Sequence, residues 1–227
     1  MASPPDRPRR AHRALALLVA GSIGLLAACG SDAGSDAGGT TQAAAPTGDF
    51  RDEVQGLQRD DPIEVGDVVV PEVAADGSTT PFALKAEPGD LLFVAFGYTN
   101  CPDVCPTTLT DIRKAKALLD ADESARVAVA FGTVDPERDT ADVMSAYLGS
   151  FVEGGHALRT EDPAELKAAE DALGITSQVV KDPDGTVEVA HSAKSFVIDD
   201  QGRVVDEWAF GSGPELMASD LRLLLEG

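Results

Sequence analysis

The chain has 227 residues and a formal net charge of −21 at pH 7, enough length for one well-buried domain with appendages. So acidic a surface repels phosphate backbones and anionic lipid, which argues against nucleic acid as a partner and favours cations and basic proteins. Only three cysteines and three histidines are available for thiol or metal chemistry, few enough to weigh one by one.

The first 28 residues read as an export signal. Arg7, Arg9, Arg10 and Arg13 form a basic start, and residues 14–28 are an apolar run too short to span a membrane comfortably. The run ends in Leu26-Ala27-Ala28-Cys29, which resembles the bacterial lipobox, whose cysteine is lipidated and becomes the first residue of the mature protein. The reading is therefore a lipoprotein signal over 1–28, lipidation at Cys29, and a protein anchored on the extracytoplasmic face of the membrane. Removal of the signal leaves 14 basic and 38 acidic residues, a charge of −24. Residues 30–48 are dominated by Gly, Ala, Ser, Asp and Thr without apolar periodicity, and 29–60 is assigned to a disordered tether. A coil of that length has a reach of roughly 30 Å, enough to let an anchored domain search the membrane surface.

The folded domain is expected over 61–227. Residues 65–70 and 79–84 alternate like short strands around Ala75-Asp76-Gly77, and residues 91–96 form a continuous apolar run that reads as a central strand. A helix follows from about Pro106 to Asp120, with Leu109, Ile112, Ala115 and Leu119 at helical spacing. Residues 126–134 make the next strand. The helix after it, over 140–149, is expected to turn Val143, Ala146 and Tyr147 inward. Asp162-Pro163-Ala164-Glu165 is a capping box with proline at the first helical position, and Gly174 stops that helix. Residues 179–190 form a hairpin on Asp182-Pro183-Asp184-Gly185, and 195–198 with 203–210 a second one. Pro214 opens a last helix carrying Met217, Leu221 and Leu224. A leading hairpin, then β-α-β-α-β-β-α, resembles the thioredoxin fold, an α/β class, with an insertion around 150–190.

Chemistry concentrates where the central strand ends. If Cys29 is lipidated, Cys101 and Cys105 are the remaining thiols of an exported protein. They lie at i, i+4 between a strand and a helix N-terminus, whose dipole favours thiolates. On helical geometry their α-carbons are about 6 Å apart, so the pair suits either a disulfide or a two-sulfur metal pincer. A metal needs a third ligand. His12 leaves with the signal, and His156 sits in the loop-like Glu153-Gly154-Gly155-His156. His191, just before the strand at 195, faces the cysteine loop in a thioredoxin-like topology. Two sulfurs and an imidazole suit Cu(I) or Cu(II), although zinc also accepts such a set with water.

Three stretches then resemble the Sco/SenC family. They are Phe96-Gly97-Tyr98-Thr99-Asn100-Cys101-Pro102-Asp103-Val104-Cys105-Pro106, Thr133-Val134-Asp135-Pro136-Glu137-Arg138-Asp139-Thr140, and His191 with Val197-Ile198-Asp199-Asp200-Gln201-Gly202. The resemblance runs in order over about 63–226. It implies a membrane-anchored, thioredoxin-like copper protein that helps assemble the CuA centre of cytochrome c oxidase. It also implies Cys101, Cys105 and His191 as copper ligands, the two cysteines as a reversible disulfide, a separate copper donor protein and an oxidase subunit as partners. Asn100 stands where the family usually has histidine, outside the implied ligand set. Residues 135–140 read as a strand end, a turn and an N-cap at Asp139 or Thr140, with Asp135 near the site.

The competing reading is a thiol–disulfide oxidoreductase acting on oxidase cysteines. Against it stand the Cys-x₃-Cys spacing and the lack of a proline between Pro183 and Pro214, where thioredoxin-like reductases place one facing their thiols; Ala193-Lys194-Ser195 takes that place.

Overall fold

The computed structural model describes residues 53–227. The signal over 1–28, His12, Cys29 and the first part of the tether lie outside the described residues. Among the described residues no helix is long and apolar enough to cross a membrane.

In chain order the elements are β1 (Val69–Val73), β2 (Thr79–Ala83), β3 (Leu91–Gly97), α1 (Val104–Leu118), α2 (Ala121–Ala125), β4 (Val127–Thr133) and α3 (Ala141–Gly149). They continue as β5 (His156–Leu158), α4 (Pro163–Leu173), β6 (Ser177–Lys181), β7 (Val187–His191), β8 (Lys194–Ile198), β9 (Val204–Ala209) and α5 (Pro214–Glu226). Seven strands form one sheet in the order β2-β1-β5-β4-β3-β8-β9, and β6 pairs only with β7. β3 runs parallel to β4 and antiparallel to β8, and β8 is antiparallel to β9. This is the thioredoxin-like core expected from the element order.

β3 is buried along its whole length because both faces of the sheet are covered. Its alternation sends Leu91, Phe93 and Ala95 to one core with Leu109, Ile112, Met144 and Trp208. Leu92, Val94 and Phe96 go to the other, with Leu158, Leu173 and Phe196. Large apolar side chains on both sides pin the register of the strand that carries the cysteine loop.

Several local expectations shift. Residues 65–68 are not strand: Val65 is buried, but its N–H and that of Gly66 bond to Gly202 O, and β1 begins at Val69. α1 starts at Val104, before Pro106, because Asp103 caps it. On α3 Met144 and Leu148 face the core while Val143 and Ala146 are exposed. The α4 cap is half the expected box: Asp162 Oδ1 accepts the Ala164 N–H at 2.8 Å, but Glu165 accepts from Thr160 Oγ1 at 2.6 Å. Gly174 ends that helix in the left-handed region at φ 63°. The stretch read as a loop at His156 is β5, parallel to β4 and bridged to β1.

Residues 54–59, assigned to the tether, are bonded to the fold. Leu57 N–H donates to Glu207 O at 2.9 Å, and Arg59 pairs with Glu207 at 3.0 Å. Backbone donors next to an uncovered sheet edge find partners there, which polar composition alone does not reveal.

Candidate metal centre

β3 and β4 end side by side, with Gly97 opposite Thr133, and the chain leaves β3 through the loop 98–103. Asp103 closes that loop by accepting the Val104 N–H at 2.7 Å. Cys105 is then the second residue of α1 and Pro106 the third, a position whose N–H has no helical partner to lose. The loop folds back so that Cys101 Sγ accepts the Cys105 N–H at 3.3 Å. Both cysteines are buried free thiols.

His191 arrives from the separate β6–β7 hairpin. Its Nε2 lies 3.5 Å from Cys105 Sγ, and its Nδ1 lies 2.9 Å from the Ser192 carbonyl oxygen. A carbonyl only accepts, so Nδ1 carries the hydrogen and Nε2 turns its lone pair to the sulfurs. The Tyr98 ring meets the imidazole edge-on, with centroids 5.8 Å apart. Cys101, Cys105 and His191 thus bring their ligand atoms within 4.8 Å of one another. A small shift of each would place a common ion at bonding distance.

Burial, first of all, pushes the Cys105 thiol up; its hydrogen bond with Cys101 and the nearby charges of Cys101 and Asp139 act the same way. The helix N-terminus is expected to favour the thiolate, but at Cys105 desolvation outweighs it. An arriving soft cation reverses the balance by displacing the proton.

Two features of the setting are not visible as motifs. A Cβ on Gly97 would stand 2.5 Å from Cys105 Sγ and 3.1 Å from the Phe131 ring, so only glycine leaves room for the sulfur. Asp139 is wholly buried and is not a helix cap. It accepts from Thr99 N at 3.0 Å, Thr99 Oγ1 at 2.5 Å and Thr133 Oγ1 at 2.6 Å, tying the cysteine loop to the end of β4. Thr140 takes the N-cap position without a side-chain cap bond. Asp135 is buried and pairs with Arg138, whose guanidinium lies 5.9 Å from the Tyr98 ring centre. Asn100 is exposed. His156 is elsewhere, with Nδ1 2.9 Å from Glu72 Oε1 and its ring against Phe82.

The family model described as SCO1/SenC matches residues 75–226. The chain belongs to the SCO1/SenC family. It is 30% identical over 127 residues to a putative copper-binding protein of Stutzerimonas stutzeri, covering 56% of this chain and 62% of that one. With the mitochondrial SCO2 homolog of Danio rerio the identity is 33% over 119 residues, covering 52% and 43%. The chain thus spans less than two thirds of the length of these relatives. The copper-bound structure of Bradyrhizobium japonicum ScoI is 32% identical with a TM-score of 0.57, covering 68% of this chain and 96% of that one. This SCO1/SenC chain carries its cysteine pair and His191 inside the matched region.

Proposed function

We propose that this chain is a copper-binding protein, lipid-anchored through Cys29 on the extracytoplasmic face of the membrane. In this reading it takes copper from a donor protein and delivers it to, or prepares, the CuA site of cytochrome c oxidase. The observation that carries the reading is the convergence of Cys101, Cys105 and His191 ligand atoms within 4.8 Å. Two thiolates and an imidazole favour copper over harder ions, and the copper-binding relatives point to the same metal. The oxidase as acceptor rests on the family resemblance.

The arrangement suits a carrier. Cys101 and Cys105 sit on one short loop and the first turn of a helix, whereas His191 comes from a hairpin outside the main sheet. Copper would be gripped by a fixed pair and closed off by a ligand that can be withdrawn without disturbing β3. Loss of one donor leaves the ion two-coordinate and open to a thiolate of the acceptor.

The test is transfer. Mature protein loaded with one copper is mixed with a soluble CuA-bearing oxidase domain whose cysteines are reduced, and the two are separated for metal analysis. Copper is expected on the acceptor; copper that stays with this chain would overturn delivery. Cys29→Ser is expected to move the protein from the membrane fraction to the soluble one. The pair also favours a second use as a dithiol reductant of the same acceptor, because the Cys105 N–H already supports Cys101 Sγ. Metal-free turnover in a disulfide-reduction assay would favour that use over delivery.

A further inference from the structure

At the sheet edge formed by β9, two carboxylates with no solvent exposure, Asp206 and Asp220, share one pocket with Trp208. Asp220, on α5, accepts three N–H bonds: Gln55 N at 2.9 Å on Oδ1, and Gly56 N and Trp208 Nε1, each at 3.0 Å, on Oδ2. Two of those donors belong to the strap 54–59, which in the proposed function lies between the lipidated Cys29 and the rest of the domain. Asp206, on β9, accepts the Glu207 N–H on Oδ1 at 2.9 Å, while its buried Oδ2 has no hydrogen-bond partner among the described residues. Gly56 lies so close that a Cβ there would be 1.9 Å from Asp206 Oδ1.

Among the described residues no cation balances the pair. Glu207, next on β9, holds Arg59 at 3.0 Å and Lys194 at 2.6 Å. On α5, Arg222 is committed to Glu123 and the Leu118 carbonyl. On α1, which packs on α5, Lys116 donates to the Ser124 and Val127 carbonyls. The strap itself offers no ionisable side chain between residues 54 and 58. An ionised Asp206 therefore leaves two negative charges in a dry pocket, one with an orphaned oxygen, and such an arrangement is costly. A proton on Asp206 removes one charge and turns that oxygen into a donor.

We propose that the Asp206–Asp220 cluster is a proton-operated latch that seats the strap 54–59 on the β9 edge when Asp206 is protonated and frees it when that proton leaves to solvent. Release lets water reach both carboxylates, uncovers the edge of β9 and frees six residues, roughly 20 Å of extended chain. Burial, and then the charge of Asp220, push the Asp206 carboxyl up to about 7, so the latch opens across neutral pH.

The full-length chain tests this directly, because Trp208 is its single tryptophan and bonds to the latch carboxylate. Amide hydrogen exchange at residues 55–57 is measured from pH 6 to pH 8.5 beside the tryptophan emission. Protection factors of 55–57 are expected to fall by up to about tenfold per pH unit above the transition, while those of β3 hold. The emission should change over the same range. Asp206→Asn is expected to abolish both changes and keep the strap protected, whereas Gly56→Ala should leave it exchanging fast at every pH. Equal protection of 55–57 in the wild-type chain at pH 6 and 8.5, or a transition retained in Asp206→Asn, would overturn the proposal. Copper stoichiometry at Cys101, Cys105 and His191, measured separately on the same samples, keeps a failure of the latch distinct from a failure of the copper site.

Discussion

Gly97 has no side chain because the sulfur of Cys105 and the ring of Phe131 fill the space a Cβ would need. Gly97→Ala is expected to destabilise the fold by about 1–3 kcal/mol, the usual cost of overpacking, and to push Cys105 out of line with His191. Thermal denaturation checks the first effect, and copper competition with a chelator of known affinity the second. Asp139 makes a similar point through hydrogen bonds. Its replacement by alanine strands the Thr99 N–H and two threonine hydroxyls, an expected loss of about 3 kcal/mol, with Asp139→Asn losing less. Both residues lie inside the stretches that resemble the family, yet their roles cannot be read from spacing. The cysteines announce themselves as i, i+4 thiols; Gly97 and Asp139 matter only through atoms that are distant until the chain folds.

The elements carry the legible part of the molecule. β3 was readable because an apolar run of strand length admits few other fates, and α1 because Leu109, Ile112 and Ala115 repeat at helical spacing. The start of α1 slipped two residues because Asp103 is the better cap: its carboxylate reaches the Val104 N–H, and a proline at the third helical position costs nothing. β5 escaped because three residues hold no period, and its place is set by pairing with β4 and β1. The β6–β7 hairpin was legible from its Asp-Gly turn, but not its isolation from the main sheet. The base of that hairpin positions His191: Ser192 N–H donates to Thr176 O at 2.9 Å, and Thr176 N–H to Ser192 Oγ at 3.0 Å. Ser192→Ala removes the second bond and is expected to weaken copper binding severalfold while shifting the melting temperature little, since a net hydrogen bond is worth only about 1 kcal/mol.

At the scale of the whole molecule, the excess of acidic groups and the buried carboxylates set the response to pH. The folded-state pKa of Asp206 is raised above its unfolded value, so the folded protein binds the extra proton. Its contribution to stability is therefore complete below about pH 4 and is lost as pH rises through about 7. Stability is expected to decline over that window with a slope of up to about 1.4 kcal/mol per pH unit from this group. Asp206→Asn should flatten the decline, as urea denaturation at pH 5 and pH 8 would record.

Everything functional depends on three donors from two distant stretches holding one ion together. The most direct measurement is copper stoichiometry after loading under reducing conditions, in the wild-type chain and in His191→Ala. One copper per chain is expected in the first and substantial loss in the second, with circular dichroism unchanged. Full copper retained by His191→Ala would contradict the account.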